Sequence, residues 1–600
     1  LDGHRRFLAL ARATGQPFGA LRPHYERLAH LVVGITLGGC GTDVAQTAVY
    51  ESPQRASSLD CSRPSAPADL PDDPRFGGAE TVNDNVLAAG DYGAGEGPGI
   101  TVAALDAFRV FINGRLIATS TESLVAKFVP LTLLPGDNAV SIVVTARDRA
   151  PALLVELDEL EKSYGSDATW KVSMDPADDF ASATFDASSW DNALDRGAPA
   201  ANPGCEPAGF PAGTNAHFIA APGVGTAVFR LDVRIAPIGF ASATTGGGQS
   251  EPVLATDIDA IMQALKSDDP KVVVVPEGTL DVRRTGNDVT DTSACPTACP
   301  DDPNKLTYNL LPDDATCPVA MVPVHRDERK ITVGSNTTLV GLGRGAALLG
   351  GSLNVGASKN VIVRNLALYG VNPELIEAGD GITLDGADGV WVDHLTFWRI
   401  SDGFIDSTTG SKNLTFSFVK NDGENPAACL GKHPRSNELS DTTATIHHTV
   451  WQHVDGRAPL ATHSEARVHL FDDVVLDDPS YGLGSACGAQ VVLEATSFQS
   501  VKAPTGKFDF LLQNDSTMVA CADSDALGLI HAAGNGNVYD ANVGSHQSNG
   551  MDTPEPADAV FAVPYAYNVE PADAATTRVL TWAGAGARWA RTLEEPTPRP

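Results

Sequence analysis

The chain is poor in positive charge. Its 600 residues carry 42 Lys and Arg against 75 Asp and Glu, a net charge of −33. Such an acidic chain repels polyanions and excludes nucleic acid as an expected partner. Aromatic residues are also scarce, at 6%, whereas Gly (57) and Pro (40) are plentiful. That balance points to many turns and short strands rather than long helices. No apolar run reaches the roughly 20 residues a helix needs to cross a bilayer, so membrane association is expected only through an anchor. With 42% hydrophobic and 20% charged residues, the chain is neither disordered nor a membrane protein.

The one notable apolar stretch near the start is Leu31-Val32-Val33-Gly34-Ile35-Thr36-Leu37-Gly38-Gly39-Cys40, behind Arg22 and Arg27. Short, basic-flanked and closed by small residues, it predicts an export signal over 1–40. Leu37-Gly38-Gly39-Cys40 resembles the bacterial lipobox, which makes Cys40 the candidate lipidated residue. Export to the cell surface or beyond, from a bacterial cell, is expected. Of nine Cys, removing Cys40 leaves eight. An even number in an exported protein predicts disulfides, with 105 connectivities open if all pair. Cys295 and Cys299 have the spacing of half a zinc site, but no second pair matches them.

Residues 41–80 are rich in Ser, Pro, Asp and Ala without hydrophobic period, and read as a flexible tether. Residues 81–236 read as an all-β module. Phe108–Ile117 alternates about Asn113-Gly114, a strong hairpin signal. Further strand signals follow at Ala139–Val144, Trp170–Ser173, Phe185–Trp190 and Ala227–Ile235. This spacing predicts a β-sandwich, and the module resembles the galactose-binding-like jelly rolls appended to bacterial carbohydrate-active enzymes. Trp170 and Trp190 are read as core aromatics before sugar platforms.

Residues 237–600 carry a repeat. Short β-branched runs recur with equivalent positions 363, 392, 416, 447, 470 and 493, spaced by 29, 24, 31, 23 and 23 residues. No 3.6-residue pattern intervenes. A β-run every ~22–30 residues without helices predicts a parallel β-helix, whose coils stack about 4.8 Å apart. The fold class expected is therefore all-β: a right-handed parallel β-helix behind an N-terminal sandwich.

Val390-Trp391-Val392-Asp393-His394, Ser401-Asp402-Gly403-Phe404-Ile405-Asp406 and Asn413-Leu414-Thr415-Phe416-Ser417 resemble the signature run of polysaccharide lyase family 1, the pectate and pectin lyases. Asn360–Leu366 and Ala489–Glu494 fit the same pattern, and the likeness covers roughly residues 250–575. On its own chemistry, Asp402 and Asp406 flank a Gly on a turn, and Asp380 lies one coil earlier. Three converging carboxylates are costly unless a hard cation joins them. The resemblance implies that Asp380, Asp402 and Asp406 are calcium ligands. A further ligand position of the family falls on Ala378. Asp393 and His394 belong to a structural stretch in that family. The resemblance implies that Arg457, in Gly456-Arg457-Ala458-Pro459, is the base that takes the C5 proton of a uronate. Arg has a reference pKa of about 12.5–13.8, so lowering it to about 10 costs about 4–5 kcal/mol, which nearby cations are expected to supply. An alkaline optimum follows.

The family's Lys falls here on Pro426 and its second Arg on Thr462. Lys432 and His433 are the candidates to replace a missing cation at the substrate. The reading is thus a secreted or surface-anchored, monomeric pectate lyase that cleaves polygalacturonate-type chains by calcium-assisted β-elimination. Two other readings compete with it. One is a catalytically impaired carbohydrate-binding surface protein. The other is a pectin lyase acting on methyl-esterified polymer, which needs fewer cations and no calcium. A polygalacturonase-type hydrolase would show Gly-His-Gly and Arg-x-Lys motifs, and neither is present.

Overall fold

In the computed structural model, the described residues are 59, 61, 74–76, 97–310, 317, 319–432, 435–513, 517–521, 527–532, 536–540 and 557–594. The expected export signal, with Cys40, lies outside them, as do most of the expected tether and His433. Within the tether, Cys61 is disulfide-bonded to Cys205 and Phe76 packs on Phe180 and Phe111. These contacts fasten the segment to the sandwich at both points.

Two antiparallel sheets face each other over residues 99–235. One runs, in order, 194–197, 218–220, 152–158, 99–104 and 127–130. The other runs 115–120, 107–112, 136–145, 226–235, 171–173 and 191–192. The Asn113-Gly114 hairpin forms as read: Ile112 pairs with Arg115, and both turn residues have positive φ (51° and 84°). That geometry suits Asn-Gly, since Gly has no Cβ to clash and Asn tolerates it best among the others. Inward-facing Ile100, Val102, Phe108, Ile142, Val155 and Phe229 form the core together with Trp170, which is fully buried. Phe185–Trp190, expected as extended, forms turns instead. Its Asp-Ala-Ser-Ser centre offers side-chain hydrogen bonds that compete with a strand, and Asp186 accepts from the Ser188 N–H at 2.9 Å.

From residue 252 the chain coils. A 17-stranded, wholly parallel sheet runs from Pro252–Leu254 to Val538–Tyr539. This is the predicted β-helix. Its inner column is read from register: Val273, Leu339, Val363, Val392, Phe416, Ile446, Leu470 and Leu493 lie side by side in one core. The repeat interval puts His447 in this column; Ile446 occupies it. Only the apolar member of the pair fills the interior without an unpaired polar group. His447 therefore faces the opposite side of the sheet.

Strands 359–371 and 388–400 bend midway, at Asn365 and His394. The equivalent bends in later coils fall at Phe418, His448, Asp472 and Ala495, all with positive φ. Asn365 bonds the carbonyls of Gly341 and Gly343. The aromatic members instead stack, His394 on Phe418 at 4.7 Å and Phe418 on His448 at 4.6 Å between centroids.

A second parallel sheet closes the coils. It holds 329–332, 351–354, 382–383 and 405–406, and a bridge between Ser407 and Leu439 continues it into 438–440, 460–462, 481–486 and 503–508. An antiparallel insert, strands 290–298, 306–309 and 322–326, stands beside it and pairs through Tyr308 and Asn309 with Leu375–Ile376. The remaining disulfides are Cys295–Cys317, Cys299–Cys429 and Cys487–Cys521. Cys295 and Cys299 thus have separate disulfide partners, which removes the half zinc site.

Candidate active site

The second sheet carries the carboxylate cluster that the sequence points to. Thr383 pairs with Asp406 in adjacent coils, which lays the Asp380 turn against the Asp402–Asp406 turn. Carboxylate oxygens of Asp380, Asp402 and Asp406 lie within 4.8 Å of one another. Two glycines permit this. A Cβ on Gly381 would meet the Phe397 ring at 2.6 Å, and one on Gly403 would fall on the Asp406 carboxylate. The carboxylates are fixed by donors: Thr383 Oγ1 donates to Asp380 at 2.7 Å, and the Glu438 N–H donates to Asp406 at 2.9 Å.

Three carboxylates this close cannot all stay ionised unaided. Burial pushes Asp402 up to about 7, with Asp380 and Glu377 adding to the rise. Burial, then Asp380 and Asp402, lift Asp406 well above the usual range. Burial also raises Asp380, against the Thr383 hydrogen bond and Lys330. An all-oxygen, triply acidic donor set fits a hard divalent cation such as calcium. Sequence alignment gave Ala378 at the fourth ligand position. The structure puts the neighbouring carboxylate, Glu377, close enough to act on Asp402.

Arg457 stands on the next coils of the same sheet, between Gly456 and a cis Ala458–Pro459 bond. Its backbone carbonyl accepts from the Asn437 N–H at 2.9 Å. Its guanidinium donates to Glu438 Oε2 at 2.6 Å, and it acts electrostatically on Asp402. The sequence led us to expect a lowered Arg457 pKa. Burial does push it down, but Glu438, Tyr481, Asp406 and Glu377 outweigh burial and raise it. The reason is local composition: this chain surrounds Arg457 with acids and a phenol where a second cation was expected.

That cation is nearby, but it is not the one read from the sequence. Lys432 Nζ donates to the Asp477 carbonyl and carboxylate, both at 2.7 Å. Arg435 instead faces the site. Burial lowers its pKa, Arg457 lowers it further, and it pairs with Glu377 at 3.1 Å. Its signal was its place, three residues past Lys432 in the same loop. Glu438 and Tyr481 were missed as well. Tyr481 is pushed up to about 12 by burial, with Arg457 opposing. Thr462, at the family's second Arg position, is a buried strand residue bonded to Ser440.

The fold and site define a structural class: a parallel β-helix that brings three carboxylates and a buried arginine together on one sheet. The pectate lyase family profile matches residues 318–588. Probable pectin lyase D of Aspergillus niger is 30% identical over 380 residues, spanning 60% of this chain and 98% of that protein. Pectin lyase 2 of Aspergillus oryzae is 30% identical over 275 residues, spanning 44% and 73%. Among solved structures, a pectate lyase of Bacillus sp. N165 is 19% identical with a TM-score of 0.40, over 59% of this chain and 99% of that one. The chain belongs to the pectate and pectin lyase family, polysaccharide lyase family 1.

Proposed function

We propose that this protein is a calcium-assisted pectate lyase that cleaves polygalacturonate-type chains by β-elimination. The observation that carries the reading is that Arg457 lies near enough to the three clustered aspartates to be electrostatically coupled to Asp402. Asp380, Asp402 and Asp406 would hold the calcium ion, which when bound would acidify the C5–H of a uronate and offset its growing negative charge. Arg457 acts in its neutral form: the guanidine takes the C5 proton and becomes guanidinium. The electron pair forms the C4–C5 double bond as the C4–O4 bond breaks, and O4 leaves with the departing chain, taking a proton from water. To act, Arg457 must exchange Glu438 for substrate, and Arg435, paired with Glu377, would make the same exchange to hold a substrate carboxylate. Neutralising the aspartates beneath Arg457 removes part of what raises its pKa.

The pectin lyase reading is favoured by Pro426 and Thr462, which stand where the family carries cations, and by the pectin lyase names of the relatives above. Export is supported by the four disulfides.

The test uses the full, oxidised chain on polygalacturonate and on methyl-esterified pectin, with calcium or a chelator. The readout is ultraviolet absorbance of the unsaturated product. Calcium-dependent product from polygalacturonate is expected, with Arg457→Lys slower by about 10²–10⁴-fold. Product from methylated pectin alone, indifferent to chelator, would select the pectin lyase reading. No product from either polymer would remove the enzyme claim.

A further inference from the structure

A cavity of about 410 Å³ opens on the other sheet of the β-helix, and none of Asp380, Asp402 and Asp406 lines it. Three segments outside the coils enclose it: the end of the sandwich at Glu161, the linker at 236–238, and the C-terminal stretch 566–578. Its size falls in the range of small-molecule sites.

Its floor is polar and incompletely satisfied. His447 and His448 share one hydrogen bond, Nδ1 to Nδ1 at 3.0 Å. Two neutral imidazoles so placed hold a single proton between those atoms. One Nε2 is then an N–H donor and the other a bare acceptor. Both Nε2 atoms are buried without a hydrogen-bond partner, and so is Arg578 Nε. The Glu570 and Asp472 carboxylates stand 3.7 and 3.9 Å from His448 Nε2, beyond hydrogen-bonding reach. Burial drives His447 down to about 3, and burial with His447 and Arg578 drives His448 well below its usual value. The pair therefore stays neutral at physiological pH.

The walls are aromatic: Phe418, Phe471 and Tyr567 line the cavity. The charges around it are spent on one another. Arg578 pairs with Glu570 at 3.1 Å, and Glu161 pairs with Arg364 at 2.9 Å. Arg578 is the single Arg or Lys among the lining residues against Glu161, Asp393 and Glu570, which disfavours an acidic ligand. A metal is also disfavoured, because Glu570 is already held by Arg578.

The geometry points to a binding site for a neutral sugar at the junction of sandwich, β-helix and C-terminal segment. A neutral pyranose offers a flat C–H face to Tyr567, because Phe418 and Phe471 are already stacked on imidazoles and present only edges. Its hydroxyls both donate and accept, which matches the paired Nε2 atoms of His447 and His448. The paired carboxylates at the wall turn uronates away, so this site takes a different ligand from the aspartate site. It would tether the protein to neutral glycan while the other sheet meets the acidic chain.

The test titrates the full, oxidised chain with galactose and galactobiose, and with galacturonate and digalacturonate as charged counterparts. Binding is followed by saturation-transfer NMR and calorimetry. At least one neutral sugar is expected to bind. Ala566→Trp, at an exposed position on the rim, blocks entry without touching the floor and should weaken binding about tenfold or more. His447→Ala should do the same, and Ala566→Trp decides the matter if that variant does not fold. Asp402→Asn should leave sugar binding unchanged, so failure of the lyase reading does not affect this one. No binding of neutral sugars, preference for the uronates, or full affinity in Ala566→Trp would overturn the proposal.

Discussion

At the scale of single residues, the aspartate cluster couples stability to pH in a particular direction. An unfolded Asp titrates near 3.9, but Asp402 is held up to about 7 by burial and its acidic neighbours. Between these values the folded chain binds more protons than the unfolded one. The stability change with pH follows the protons bound in the unfolded state minus those bound in the native state, so stability falls as pH rises from about 4 to 7. Calcium, which needs the ionised oxygens, should reverse that loss. Differential scanning calorimetry should show a calcium-induced rise in Tm at pH 8 that shrinks toward pH 4.5, and Asp402→Asn should lose most of it. An equal rise at both pH values, or an unchanged one in the variant, would mean that calcium acts elsewhere on this acidic surface. The cluster was legible in the sequence because Asp402 and Asp406 flank Gly403, and one coil separates them from Asp380. Arg435 was not, because only the path of the 425–435 loop decides which of its cations turns inward.

Among the elements, the coils were readable from their alternation, and the one-residue slip at Ile446 marks where that reading runs out. In the run Ile446-His447-His448, the interval alone does not say which residue faces in; burial does. The antiparallel insert over 290–326 was invisible for another reason. It follows no coil period, and its strands pair with each other before they meet the helix. The Cys299–Cys429 disulfide ties this insert to the loop that carries Lys432 and Arg435. Lys305 adds a hydrogen bond to the Ala428 carbonyl, and the Leu430 N–H donates to Asp301 at 3.0 Å. If this tie holds Arg435 beside Arg457, the double variant Cys299→Ser, Cys429→Ser should show two effects. Urea unfolding should lose about 2–4 kcal/mol, and KM should rise while far-ultraviolet circular dichroism keeps its β signature. An unchanged KM would show that the loop is positioned by the β-helix alone.

For the whole molecule, the sandwich and the β-helix do not behave as beads on a string. Ile362 and Trp391 of the β-helix lie in the same apolar cluster as Val102, Phe108 and Phe229 of the sandwich. The linker runs back along the coils, where the Phe240 N–H donates to Thr445, Ala241 to Thr415 and Gly247 to Thr338. At the centre of the junction Arg364 is fully buried. It donates to Asp393 at 2.8 Å and to Glu161 at 2.9 Å, and meets Glu159 at 3.4 Å. Nothing in Asn360–Leu366 marked Arg364 as different from any strand arginine; its partners Glu159 and Glu161 lie some 200 residues away in sequence. Burial already pushes Glu159 up to about 7, with Arg364 opposing. Arg364→Ala would leave that carboxylate buried without its cation, a change that costs about 3–5 kcal/mol in comparable sites. Because the network joins the two halves, the loss should fall on their coupling. A single calorimetric transition in the parent should split into two in Arg364→Ala. Adding Glu159→Gln, which removes the stranded charge, should recover part of the loss without restoring the joint. Two independent transitions already present in the parent would mean that the shared core does not couple the halves and that Arg364 serves the β-helix alone.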